Sequence, residues 1–386
     1  MALGSQFCKI CGKSSFEDIA EFRLLPRVTS DCFSFRSGGR LLVCAKCGAA
    51  QSPADDQWFG EIREIYSTYN SYHQAGGVEQ HVLDPATRAL RRRSDVLLER
   101  LSELPFVPSQ GRVLDVGCGT GGTLKTFSVH GGWRLNGLDQ DDRHLPFLTP
   151  LANFENLYTC APEQLNERFD LVTMVHSLEH FPDPLNTLRS LRKSIAPNGR
   201  IFVEVPNAAA NPFEYLVADH MVHFDPSSLS ALATAAGFEV DCIATTWVTK
   251  ELSLVAKPGG PPIKLSEATP DAAENVVKRV NAQINWLSKF VEDAREASNT
   301  GAKRFGLFGT SIAAVWLSNA LGDHVSFFVD EDLHRVGRDF MGRPVYSTDQ
   351  VPDGGVLYLA LVPEIAEKVA KRLRDKRLDL RLPPLL

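Results

Sequence analysis

Three groups of residues in this chain have the types and the spacing to do chemistry. Cys8-Lys-Ile-Cys11-Gly and Cys44-Ala-Lys-Cys47-Gly are two C-x-x-C pairs, each with a glycine just past the second thiol. In a reducing compartment such pairs read as metal ligands rather than disulfides, and four thiolates suit a closed, structural zinc site. A redox dithiol and plain buried cysteines are the alternatives. The second group is Val113-Leu-Asp-Val-Gly-Cys-Gly-Thr-Gly-Gly122, an apolar run ending in an acid and a glycine cluster. Glycines let the backbone bend sharply and approach a small molecule with no Cβ in the way. The spacing of Gly117, Gly119 and Gly122 also satisfies the dinucleotide fingerprint, and a tight turn without a ligand would use the same residues. The third group sets histidines beside acids, in His176-Ser-Leu-Glu-His180 and in Asp219-His220-Met-Val-His223. Histidine ionises near pH 6.5, which suits proton transfer at neutral pH.

These residues need elements to position them. From Gly111 onward short apolar runs alternate with helical segments. Strands are expected at Arg112–Val116, Arg134–Leu138, Leu157–Cys160, Asp170–Val175 and Arg200–Val205. Asp183-Pro184 and Asp225-Pro226 have the form of helix openings, and Asp225 reads as an N-cap. Two last strands near Val240–Ala244 and Leu252–Ala256 would pair as a hairpin. Alternating βα units imply an α/β fold with a mostly parallel, doubly wound sheet. In such sheets ligands sit beyond the carboxyl ends of the strands, which is where Asp115 and the glycines fall.

Five segments follow: a cysteine module at 1–60, a helical segment at 61–110, the α/β core at 111–257, a linker and long helix at 258–299, and a second α/β unit at 300–386. The helical segment contains a tyrosine-rich stretch and a helix expected from Pro85 to Leu104. The linker holds Lys257-Pro-Gly-Gly-Pro-Pro262, ahead of an amphipathic helix over roughly Asp271–Ser298. The last unit repeats the strand, glycine turn and helix pattern at Phe305-Gly-Leu-Phe-Gly309, with Val325–Asp330 as a strand ending in an acid.

Composition narrows the function. The 386 residues are 44% hydrophobic and carry a net charge of −6 with both signs interspersed. That balance argues against a nucleic-acid partner. No apolar run reaches the ~18 residues of a membrane span. The opening Met1–Lys9 lacks the apolar core of a secretory leader, so a cytoplasmic protein is expected. Oligomeric state is not legible, with a monomer as the default.

The order of Asp115 before Gly117, Gly119 and Gly121 resembles the first motif of class I S-adenosylmethionine-dependent methyltransferases. The segment ending Leu178-Glu-His180 resembles their fourth-strand motif, which nicotinamide dehydrogenases do not usually carry. The resemblance implies a terminal antiparallel hairpin and S-adenosyl-L-methionine as cofactor. Gly117 and Gly119 would lie against its amino-acid part, and Asp115 would hold its amino group directly or through water. Asp139, ending the second strand, would accept the ribose hydroxyls; its alternative is a helix N-cap. Gln140, Ala161 after the third strand, and His176 after the fourth fall in the same pocket.

Over nearly the whole chain, the order of parts is similar to the zinc-containing sugar C-methyltransferases, which act on nucleotide-linked keto-deoxysugars. Leu41–Gln51 resembles their second zinc knuckle, Tyr72-His73 with Gly76-Gly77 their substrate-facing segment, and Val329–Arg338 their C-terminal acid-and-glycine segment. By position, His220 matches the family's general base, Asp219 its acidic partner, His180 a second active-site histidine and Tyr72 a substrate-facing tyrosine. The chain departs from the pattern at Val217, at Ala218, at Asp219 (one methylene shorter than glutamate), in Gly309-Thr-Ser-Ile-Ala313 and in Ala360-Leu-Val-Pro363. The resemblance implies structural zinc on Cys8, Cys11, Cys44 and Cys47, and a small-molecule substrate, a nucleotide sugar, methylated on carbon. O- or N-methylation of a related metabolite, RNA methylation and a non-catalytic binding role are the other readings.

Overall fold

The computed structural model describes residues 6–70, 79, 81–84, 87, 89–263, 270–299, 304–376 and 378–386. In chain order, the elements that frame the site begin with β1 (Phe16–Asp18), β2 (Leu42–Cys44), β3 (Ala50–Gln51), α1 (Asp56–Ser67) and α2 (Arg93–Ser102). The core follows as β4 (Gly111–Val116), α3 (Gly122–His130), β5 (Trp133–Leu138), β6 (Phe154–Tyr158), β7 (Phe169–Val175), α4 (Pro184–Lys193), β8 (Ile195–Pro206), β9 (Val222–His223), α5 (Pro226–Ala235), β10 (Phe238–Ala244) and β11 (Glu251–Pro258). The remainder is α6 (Pro270–Ser298), β12 (Arg304–Phe308), α7 (Ile312–Leu321), β13 (Val325–Val329), β14 (Asp339–Phe340), β15 (Arg343–Tyr346), β16 (Gly355–Leu359), α8 (Pro363–Arg372) and β17 (Asp379–Arg381).

The central sheet runs β6-β5-β4-β7-β8-β11-β10, parallel except that β11 is antiparallel to both neighbours. This mixed sheet carries the late antiparallel hairpin expected from sequence. Strands β4 and β7 are neighbours although two strands lie between them in the chain, so the switch in strand order opens beside Asp115. Its strands are near-continuous apolar runs such as Val113-Leu114 and Leu171-Val172, as burial on both faces requires. Asp183 and Asp225 cap α4 and α5 by accepting the N–H groups of Asn186 and Ser228.

Two expectations need correction. The helix predicted from Pro85 begins at Arg93. Before it, His81–Leu83 and Leu90–Arg92 pair as an antiparallel ribbon. Asp84 is fully buried and accepts hydrogen bonds from Thr87 and Arg91, so a side-chain-capped turn outcompetes the helix there. The third core strand starts at Phe154, three residues earlier than expected, and ends at Tyr158.

The outer parts are joined to the core through backbone and aromatic packing. Strand β9 leaves the core region and completes a four-stranded sheet β1-β2-β3-β9, with His223 opposite Ala50. A further sheet, β14-β15-β13-β12-β16-β17, is parallel apart from β14. Phe213 sits edge-on to Trp286 and Phe290 of α6 and to Trp316 of α7, with ring centroids 5.5, 5.2 and 6.0 Å away. Each such pair contributes about 0.5–1.5 kcal/mol beyond burial. Trp316 also donates its indole N–H to the Pro26 carbonyl at 2.9 Å, so one fully buried side chain joins three regions.

Candidate active site

One continuous cleft of about 1780 Å³ runs along the carboxyl ends of the central strands. Its walls include Ser30 and Tyr66 from the N-terminal region, Gly119, Asp139, Ala161, His176, His180 and His220 from the core, and Ser311 and Arg335 from the second α/β unit.

At the end of β4, Gly117, Gly119 and Gly121 all take positive φ, of 76°, 48° and 80°. Their surroundings differ. A Cβ on Gly117 would stand 2.6 Å from Cβ of Ser177, whereas one on Gly119 would meet nothing within 4 Å. The space beside Gly117 is therefore filled by Ser177, whereas Gly119 leaves open room, and both line the cleft. Asp139, ending β5, accepts the N–H of Gly119 and the N–H of Gln140, both at 2.7 Å. The second bond is local, and no helix opens at Asp139; the first ties the acid to the glycine turn. Asp115 is buried and accepts the Thr173 hydroxyl at 2.7 Å. Burial pushes its carboxyl up to about 7, against the lowering effect of that hydroxyl.

His176 follows β7 in a left-handed conformation, φ 51°, which is uncommon for a side-chain-bearing residue. Its Nε2 lies 3.2 Å from a Glu251 oxygen and its Nδ1 3.5 Å from Glu179. Burial and Arg93 oppose its charged form, yet the two carboxylates hold its pKa above the ordinary value.

Opposite the glycine turn lies a pair of histidines with centroids 4.6 Å apart, edge to face. Nδ1 of His220 is 2.5 Å from Oε1 of Glu214, and Nδ1 of His223 is 3.4 Å from the same oxygen. Burial alone would raise the Glu214 pKa, but the two imidazoles hold it down to about 2. An ionised carboxylate only accepts, so Nδ1 of His220 is the donor and Nε2 is left as the basic nitrogen. Nδ1 of His180 lies 3.3 Å from Oδ2 of Asp219 and 3.1 Å from the Tyr66 hydroxyl. Burial disfavours the His180 imidazolium, but Asp219 outweighs it and lifts the pKa to about 9. Asp219 also accepts the Ser30 N–H at 2.8 Å and the Ser30 hydroxyl at 2.5 Å, and its pKa is depressed well below the ordinary carboxylate value.

The methyltransferase-domain family matches residues 87–243 of the chain. The ubiquinone biosynthesis O-methyltransferase of Pseudomonas entomophila (strain L48) is 31% identical over 171 residues, which are 37% of this chain and 72% of that protein. The chain belongs to the class I S-adenosylmethionine-dependent methyltransferases. The same enzyme of Pseudomonas fluorescens (strain Pf0-1) is 32% identical over 172 residues, 38% of this methyltransferase and 73% of that one. Among solved structures, the Burkholderia thailandensis 1,6-didemethyltoxoflavin N1-methyltransferase covers 55% of this chain and 96% of its own, at 20% identity and a TM-score of 0.39.

The donor of this family fits the residues present in the methyltransferase: an open glycine turn for a close-lying ligand, and beside it an acid that faces the cleft. The structure corrects one pairing. The carboxylate partner of His220 is Glu214, and Asp219 belongs to His180. Asp219 points away from His220 because the Ala218 N–H is pinned to the Val28 carbonyl and the Asp219 carboxylate accepts from Ser30. The His220 ring meets His180 edge to face and lies 6.3 Å from His223, centroid to centroid. Tyr72, with His73, Gly76 and Gly77, lies outside the described residues; Tyr66 is the tyrosine that reaches His180. Sequence reasoning missed Glu214, though a signal was there. It is a lone acid in the apolar run Phe213–Ala218, and a buried acid must find a partner. Ser30 carries no comparable signal.

The four cysteines Cys8, Cys11, Cys44 and Cys47 converge, with Sγ separations of 3.5 Å (Cys8–Cys47) and 3.6 Å (Cys11–Cys44). Those distances are too long for disulfides. Gly12 and Gly48 turn the chain back with φ of 72° and 78°, returning their N–H groups to the carbonyls of Cys8 and Cys44. Among the described residues, no helix is long and apolar enough to cross a membrane.

Proposed function

We propose that this methyltransferase places a methyl group on a carbon of a nucleotide-linked keto-sugar, with His220 as general base. The observation that carries this reading is the buried Glu214–His220 pair facing the same cleft as Gly119 and Asp139. Oxygen and nitrogen acceptors often need little more than positioning, whereas a carbon beside a carbonyl must first lose a proton. Nε2 of His220 takes that proton, and Glu214 stabilises the resulting imidazolium through Nδ1. The electron pair of the C–H bond passes to the carbonyl oxygen. His180, held charged by Asp219 and standing beside His220, is the group suited to that oxyanion. Gly117, Gly119, Asp139, Gln140 and Ala161 would hold S-adenosylmethionine, with Asp115 and His176 at the strand ends beneath it. When bound, this donor supplies an electrophilic methyl group whose sulfur keeps the bonding pair.

The second α/β unit reads as a Rossmann-like domain that closes the cleft over the acceptor, with the cysteine module as its other support. Tetrahedral zinc with bonds near 2.3 Å would set sulfurs about 3.8 Å apart, close to the observed spacing. Structural zinc on the four cysteines is thus part of this reading. Chelation would free β1-β2-β3 and, through the β3–β9 pairing, the segment that carries His220. Lower thermal stability and falling turnover on metal removal, both restored by zinc, are the expected result.

A second reading has its own support, since the relatives named above are O-methyltransferases. One experiment separates the two. In deuterated water, a nucleotide-linked keto-sugar incubated with enzyme should exchange a proton beside its carbonyl, and His220→Ala should abolish the exchange. Methyl transfer to a hydroxyl with no exchange would establish the second reading.

A further inference from the structure

The segment Val329–Arg338 stands outside the proposed chemistry, yet it meets the ribbon at His81–Leu83 across the mouth of the cleft. Nδ1 of His81 lies 3.4 Å from Oδ2 of Asp332, and the His81 and His334 rings stack with centroids 5.1 Å apart. One ligand atom from each of the three residues falls within 4.8 Å of the others. Asp332 is 7% exposed, and its Oδ2, like Nδ1 of His81, is buried without a hydrogen-bond partner among the described residues. The other Asp332 oxygen is already used, accepting the His334 N–H at 2.9 Å. Nε of Arg335 is 3.8 Å from Oδ2 but too far to satisfy it, and that guanidinium is instead bonded to the Thr310 hydroxyl at 2.8 Å.

We propose that His81, Asp332 and His334 form a divalent-metal clasp, with zinc as the best-suited ion, that fastens the ribbon to the second α/β unit at the mouth of the cleft. Two bonds of about 2.0–2.1 Å at a tetrahedral angle place their ligand atoms about 3.4 Å apart, which matches the His81–Asp332 separation. Two imidazoles and one carboxylate suit zinc and its borderline neighbours rather than magnesium or calcium. His334 is exposed, so its ring is free to turn out of the stack and direct a nitrogen at the ion. A three-residue set on the surface leaves the fourth position to water. This clasp is independent of the four-cysteine cluster, whose ligands are all thiols, and of the acceptor chemistry proposed above.

Metal analysis of the full-length protein, equilibrated with zinc and freed of loosely bound ion, tests it. Wild type should hold roughly one zinc per chain more than His81→Ala, Asp332→Asn or His334→Ala. His334→Ala, at an exposed position, guards against loss through misfolding, and donor binding confirms that each variant is folded. Equal zinc content in wild type and all three variants would overturn the proposal. So would an extra zinc that survives these changes but is lost in His223→Ala, which would put the ion in the Glu214, His220 and His223 cluster instead.

Discussion

On the proposed donor side of the cleft, Gly117, Gly119 and Asp139 come from two adjacent strands and the turn between strand and helix, all within residues 111–140. On the proposed acceptor side, His220 meets Glu214 from the preceding turn and His180 from the end of another strand, and His180 is tied through Asp219 to Ser30 of the N-terminal region. The first side uses backbone: a tight glycine turn, a missing Cβ and one carboxylate that holds the turn. The acceptor side uses side-chain charge in a dry setting, where each ion must be matched by another. A backbone-built site tolerates many sequences around it, whereas a charge-built site depends on distant partners.

If that contrast is right, breaking each side should leave the other standing. The largest expected effect is His220→Ala, which should lower turnover by at least ~100-fold while donor affinity, measured by calorimetry, stays unchanged. Turnover within a few-fold of wild type would remove the base assignment. Asp139→Ala should do the reverse and weaken donor binding by roughly 10–100-fold, as loss of hydrogen bonds to a charged group does. Acceptor binding should not respond.

The third effect is a shift in pH dependence. His180 has its pKa raised from 6.5 to about 9, so the stability of its pair with Asp219 is fully present below about 6.5 and lost as pH rises through about 9. Asp219 is depressed from 3.8, so its share is present above that value and lost as pH falls below it. The difference at His180 corresponds to about 3 kcal/mol in favour of the imidazolium. In Asp219→Asn, burial of His180 is opposed only by Glu179 and the residue-219 carbonyl, and the alkaline limb of kcat should move from near 9 to lower pH. An unmoved limb would show that His180 charge does not matter to the rate. The smallest effect separates two glycines on the donor side. Gly119→Ala should fold and chiefly weaken donor binding, at a strain cost of about 1 kcal/mol. Gly117→Ala should lower the melting temperature instead, because its methyl meets Ser177.

How much of this was legible follows the same divide. The glycine turn, Asp115 and Asp139 could be read because strand, turn and helix are contiguous, and the physics of such a turn is local. The C-x-x-C pairs were equally plain, since each is a single knuckle; that the two pairs meet is a tertiary fact. Local logic failed where a side chain overruled propensity, as buried Asp84 did in replacing the first turns of a predicted helix with a ribbon. At His220 the family match paired the ring with Asp219, whereas the acid six residues back holds it.

The amino-acid sequence by itself determined the order of strands and helices, the apolar runs that bury the central sheet, and the turn open to a donor, because each depends on residues within a few positions of one another. Which carboxylate charges which histidine was decided only by the tertiary structure. Backbone pairing of β9 with β3 and the anchoring of Asp219 on Ser30 fix how the segment carrying His220 turns, and electrostatic pairing depends on distance in space rather than along the chain.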